Sequence, residues 1–425
     1  MTPLAYLRTF RPDRAVLTGA AYDRGAVAVS KGDVVGVVMM ELGGPLRPDE
    51  VEPFLESRLL DPVEVDLPVP RALRPRAARF LARRRGQELR RSFEMIGGCS
   101  PLRRHVSEQA DVLQRRLNGR FGPATGATFR TYVAMRHGDP SMETARRRMA
   151  EDGVTKVVLL PLQPHFSASM AGSALSYWRA HGTVEAPTAL VAEYATHPKL
   201  VGALNERVDE GLQRFPREVR DRVQILFAAH GALRRHLHKL DDPYCCHVQA
   251  TVRTVLAART DGRASTVAFL PPLGSGRALG TRLGDAVADL ADDGASALLV
   301  VPISFLSDRV DTAYDLDVTA RAVAAKDGIS HFEVTNGLNG HPLVIDALAE
   351  CVATHIEPDA LAGGDGLLAS ADGPDLVATA VKARVPACPV CDRSVPTRTW
   401  RPDGPTFERL GPKPGTGHSD RASTA

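Results

Sequence analysis

His230 closes an apolar run, VQILFAAH, and is followed at once by Gly231. An imidazole there suits two tasks near pH 7, taking a proton and binding a transition metal. A hydrogen-bonded histidine that only finishes a strand carries the same signature. Farther along, Ser307 precedes Asp308, Asp311 and Asp315. On a helix capped by Ser307, the spacing i, i+3, i+7 gathers the three carboxylates on one stripe. Like charges on one face repel, so the stripe is either a solvated surface or a line that guides protons or a divalent cation. It opens directly from another apolar run, SALLVVPISF. GGCSPL, residues 97–102, reads as a flexible turn with Ser100 and Pro101 at the head of a helix. Phe93, Met95 and Ile96 beside it form an apolar group suited to an apolar ligand. GGP at 43–45 lacks the spacing of a dinucleotide loop or a P-loop, and no GxSxG or HExxH occurs. Cys388 and Cys391, in CPVC, have metal-ligand spacing, a weak signal from two cysteines alone.

These residues need strands to carry them. Short apolar runs begin at Val34, Phe129, Thr155 and Ala189, and again at Val223, Ser265, Ser296 and His331. Near-continuous apolar strands alternating with amphipathic stretches predict parallel sheets covered by helices on both faces. The expectation is an α/β protein of two halves of similar plan, each with four parallel strands. Ligands in such folds bind beyond the carboxyl ends of the strands. Residues 1–33 are expected to be a loose extension, 34–205 and 206–356 the two halves, and 357–425 a mostly disordered tail rich in Pro, Gly and Asp.

Composition narrows the classes. The 425 residues suit two to three domains of roughly 150 residues. With 53 basic and 50 acidic residues, the net charge of +3 argues against a nucleic-acid partner. No apolar run reaches the roughly 18 residues of a membrane span, and the first thirty residues lack a secretory core. A cytoplasmic protein with at most peripheral membrane contact is expected. Six cysteines are too few for a disulfide framework.

In this order, LGGP, IGGCSP, MRHGDPS, LPLQPHFSAS, FAAHG, DDPY, PISFLSDRVDTAYDLD and NGHPLVIDAL resemble the ferrochelatases over residues 34–356. That family inserts ferrous iron into a porphyrin in haem biosynthesis. The resemblance implies two Rossmann-like domains with a deep cleft. It implies His230 as base and metal ligand, with Asp311 its partner across the cleft and Asp315 continuing the acidic line. Leu42, Phe93, Ile96 and Ser100 match the cleft wall and lip, and Arg136 and His137 match positions that contact the macrocycle. The substrates implied are Fe2+ and protoporphyrin IX or coproporphyrin III, Leu42 favouring the former; no cofactor is required. The chain departs from the family pattern with Asp311 for Glu, Arg309 for His, Glu41 for Asn and Ala278 for Trp. Arg309 is expected to point away from Asp311 and oppose cation entry only mildly. Asp311, Arg309 and Ala278 keep open a non-catalytic tetrapyrrole-binding relative, or a chelatase for another metal. Some family members carry a [2Fe-2S] cluster on four cysteines. Here CPVC matches two, while Ala168 and Pro396 occupy the others, so that cluster is not expected. Cys351 or the Cys245–Cys246 pair would complete a set only in a different geometry.

Overall fold

The structure, a computed structural model, describes residues 1–22, 25–181, 185–232, 234, 240–273, 279–358, 379–384, 388–391 and 396–401. Two four-stranded parallel sheets form its frame. In the first, Val34–Glu41 lies between Thr128–Met135 and Lys156–Pro161, with Thr188–Leu190 at the edge. In the second, Gln224–Ala229 lies between Ser265–Phe269 and Ala297–Pro302, with His331–Val334 at the edge. The two sheets repeat one plan. Their central strands are buried almost throughout, which is why the sequence shows continuous apolar runs rather than alternation.

The halves are less separate than the sequence suggested. One apolar cluster contains Val37 and Met39 from the first sheet and Ile225, Phe227 and Val301 from the second. Helices Pro198–Gln213, Tyr244–Ala258 and Pro342–Ala353 contribute Leu204, Val248 and Leu348 to the same cluster. The border drawn at 205/206 therefore falls inside the helix Pro198–Gln213, whose apolar face serves both halves.

Residues 1–33 are not a loose extension. Pro3–Thr9 and Arg14–Leu17 are helices capped by Thr2 and Asp13, and Tyr6, Leu7, Val16 and Leu17 are buried. Helices of seven and four residues are too short to display a 3.6-residue period, so burial there left no readable pattern. Val27–Val29 then pairs in parallel with Ile356–Pro358, joining the two ends of the core. Parts of the tail are ordered. Thr379–Arg384 and Pro396–Arg401 pair antiparallel, and Cys388 is buried in the main cluster. The remaining tail residues, 359–378 and 402–425 among them, lie outside the described residues, as does Ala278. Among the described residues no helix is long and apolar enough to cross a membrane.

Candidate active site

The strands of both sheets end at one crevice. His230 follows the central strand Gln224–Ala229 directly. A Cβ on Gly231 would lie 2.1 Å from the Leu270 carbonyl oxygen, so only glycine lets the chain turn away here. The His230 carbonyl accepts a 3.0 Å hydrogen bond from the Tyr244 hydroxyl, which also meets Ser304 Oγ at 3.0 Å. The imidazole packs edge-on against Phe305. Its Nδ1 is buried, with no hydrogen-bond partner among the described residues. Burial pushes the His230 pKa down to about 4; Asp311 opposes this, while Arg309 and Arg58 add to it. The ring is therefore neutral at pH 7, with a lone pair available. The hollow around it, about 290 Å³ with its mouth, is lined also by Arg58, Glu64, Met170 and Leu273.

The acidic segment differs from the predicted stripe. Asp308 lies before the helix rather than on it. Its carboxylate accepts from Thr312 Oγ1 at 3.0 Å and Asn339 Nδ2 at 2.6 Å, while its N–H donates to Asn339 Oδ1 at 2.8 Å. Ser307 caps nothing and donates to Gln109. Residues Asp311–Thr319 form a π-helix. A π-turn is one residue longer than an α-turn, so Asp311 and Asp315 remain neighbours on one face. Such local widening recurs at functional sites.

Arg309 does not point away from Asp311. It too precedes the helix, so the angular offset of successive helical residues does not apply. Its Nε donates to Asp311 Oδ2 at 2.6 Å and its Nη1 to Glu41 Oε1 at 3.1 Å, with the guanidinium over the Phe305 ring. This chain of charges spans the crevice from the end of the Val34–Glu41 strand to the acidic helix. Burial alone would raise the Asp311 pKa, but Arg309, His230 and Arg58 outweigh it and hold it low. Asp315 lacks that help. Burial and the Asp311 charge push it up to about 7. Burial likewise carries Glu41 to about 7 despite Arg309.

The other expected residues fall into three groups. Leu42 lines a smaller hollow with Met40, Glu41, Arg136, Gln163, Met170 and Ala174. Arg136 is largely committed. One Nη pairs with Asp61, Nε donates to Ser173 Oγ at 3.2 Å, and the plane stacks 3.8 Å from the Tyr177 ring centroid. Its Nη1 is buried, with no partner among the described residues. His137 uses both ring nitrogens, on Glu64 and Ser57, each at 2.8 Å. Phe93 and Ile96 end the helix Arg74–Met95, which packs against the acidic helix. Phe93 is buried, and Met95 beside it is 62 % exposed. Ser100 N–H donates to the Pro45 carbonyl at 2.9 Å. Its Oγ would sit 2.6 Å from a Cβ on Gly44. The GGP loop thus joins the lip to the strand end.

Sequence reasoning missed Arg58, Glu64, Gln163 and Met170. Arg58 Nε donates to Glu64 Oε1 at 2.6 Å, and the pair forms the floor below His230. Nothing in the spacing of Arg58 and Glu64 announces this, because Asp61, Arg74 and Arg136 fold that corner. Gln163 lies inside the LPLQPHFSAS motif and Met170 directly follows it, so the motif marked their place without marking their role.

The ferrochelatase family profile matches residues 34–356. The chain belongs to the ferrochelatase family. The ferrochelatase of Gloeobacter violaceus is 33% identical over 76% of this chain and 98% of its own. Those of Thermosynechococcus vestitus and Geotalea daltonii are each 34% identical, over 75% and 74% of this chain and 81% and 96% of theirs. Residues 1–33 and the tail lie outside the family match. Membership of the ferrochelatases assigns the chain to the porphyrin metal chelatases of haem biosynthesis, as the strand-end motifs implied.

Proposed function

We propose that the crevice inserts ferrous iron into a porphyrin with His230, Asp311 and Asp315 in distinct roles. The observation that carries this is the buried His230 Nδ1, without a hydrogen-bond partner among the described residues, at the strand end beside Asp311. The reaction exchanges two pyrrole protons for one Fe2+, so two protons must leave as the metal enters. A low pKa keeps the imidazole from losing the metal to a proton. Asp311, held anionic, suits the incoming cation. Asp315, with a pKa of about 7, is matched to receive a proton and release it to solvent. Arg136 Nη1 is a buried donor suited to a carboxylate on the macrocycle rim. Leu42 and Met40 supply apolar wall beside it.

Insertion is expected to rise with pH through about 7, as Asp315 loses its proton and becomes an acceptor. Glu41 titrates in the same range. Stopped-flow rates for wild type and Asp315→Asn separate the two. The rising limb should vanish in Asp315→Asn, and a limb that persists there assigns it to Glu41.

The Arg309 clamp on Asp311 is the observation that favours a second reading, a tetrapyrrole-binding relative without turnover. An anaerobic assay with Fe2+ and each porphyrin decides between them. In the chelatase reading, Asp311→Asn lowers turnover by about 10²-fold, and Asp311→Glu keeps or raises it. Unchanged turnover in Asp311→Asn removes the carboxylate from the mechanism. Porphyrin binding without any turnover in the wild type supports the second reading.

A further inference from the structure

Away from the crevice, four cysteines meet. Cys245 and Cys246 lie in the first turn of the helix Tyr244–Ala258, fully buried. Cys388 and Cys391 approach from the tail; Cys388 is buried and Cys391 half-buried. The four sulfurs all lie within 4.8 Å of one another, and Cys246 and Cys391 are 3.7 Å apart. None of the four is in a disulfide. The CPVC turn is closed by the Cys391 N–H donating to the Cys388 carbonyl at 3.3 Å.

We infer that these four sulfurs form a binding site for a single tetrahedral divalent cation of the zinc type. Zn–S bonds of about 2.3 Å place thiolates on a tetrahedron with edges of about 3.8 Å. The Cys246–Cys391 separation already matches one edge. A disulfide would draw two sulfurs to about 2.05 Å, far inside the observed spacing. A two-iron cluster distributes its thiolates over two metals, so its opposite pairs stand farther apart than a tetrahedral edge. A compact set with every sulfur near every other fits one ion. The ligand set also differs from the cluster pattern considered from the sequence, because Cys245 and Cys246 replace the positions held by Ala168 and Pro396. Binding converts four thiols to thiolates, releases four protons and leaves a net charge of −2 on the centre. The N-terminal end of a 15-residue helix, where Cys245 and Cys246 sit, favours that negative charge.

The site fastens residues 388–391 to the helix that positions the reactive histidine. Tyr244, next to Cys245, holds the His230 carbonyl. The ion is thus a structural staple for the tail and stands apart from the iron that is inserted.

Metal analysis of the purified full chain, without added metal, tests the inference. About one zinc per chain, no acid-labile sulfide and no visible absorbance are expected. Cys388→Ser/Cys391→Ser should lose the metal while its far-ultraviolet circular dichroism is unchanged. His230→Ala and Cys351→Ala should both retain it. Refolding with Co2+ in place of zinc should give the intense visible bands of tetrahedral cobalt thiolate, absent from the double variant. Should that variant fail to fold, Cys391→Ser alone should release zinc to a chromogenic chelator faster than wild type. Two irons with two labile sulfides per chain would overturn the single-ion site. So would a metal-free chain that takes up no Co2+, or zinc that survives in Cys388→Ser/Cys391→Ser.

Discussion

His230→Ala should cut iron insertion by about 10²–10⁴-fold, the range expected for loss of a positioned proton acceptor, and by more if the imidazole also binds the metal. Porphyrin affinity should change little, because Leu42, Met40 and Arg136, the groups assigned to the macrocycle, line the smaller hollow, of which His230 is not part. The truncation leaves the backbone anchor in place: the Tyr244 hydroxyl donates to the His230 carbonyl, which alanine retains. Anaerobic turnover together with porphyrin fluorescence quenching checks both halves of the expectation. A His230→Ala enzyme within threefold of wild type would remove the histidine from the chemistry and leave Asp315 as the only near-neutral acceptor on the acidic helix.

The largest stability effect is expected at Asp61. Its side chain is fully buried and accepts from Arg136, from Ser173 Oγ at 2.5 Å and from the Val63 N–H at 2.8 Å. Asp61→Asn keeps the shape but leaves the buried Arg136 cation without a counter-charge. Removing one partner of a buried pair typically costs about 3–5 kcal/mol. Urea unfolding of wild type and variant measures the loss. A cost below about 1 kcal/mol would mean that water reaches Arg136 and that the pair behaves as a surface one. Because Arg136 also borders the smaller hollow, porphyrin binding should weaken alongside stability.

The frame of this protein was legible because its strands are covered on both faces. Residues 34–40 and Ala297–Pro302 carry no polar side chain, and seven and six such residues in a row between helical stretches fit strands buried on both faces. His230 was legible for the same reason, since a strand end in a parallel sheet points to the crevice. The charges around it were not. Asp308 looked like the first member of a helical stripe, yet Thr312 and Asn339 hold it before the helix. Arg309 looked like a bystander, yet Glu41, more than 250 positions away, draws it across the crevice. Contacts of that kind depend on which loops meet, and local spacing carries no trace of them. The buried N-terminal helices were missed because they are too short for a period to show. The convergence of Cys388 and Cys391 with Cys245 and Cys246 was hidden by the length of chain between them.

The pairing of Val27–Val29 with Ile356–Pro358 has a mechanical consequence. The helix Pro198–Gln213 links the two sheets along the chain, and this small clasp ties the segment before the first sheet to the segment after the second. With one apolar cluster already shared by both sheets, sliding one past the other would have to break the clasp's backbone bonds as well as that packing. The Glu41–Arg309–Asp311 bridge adds a charged tie across the crevice.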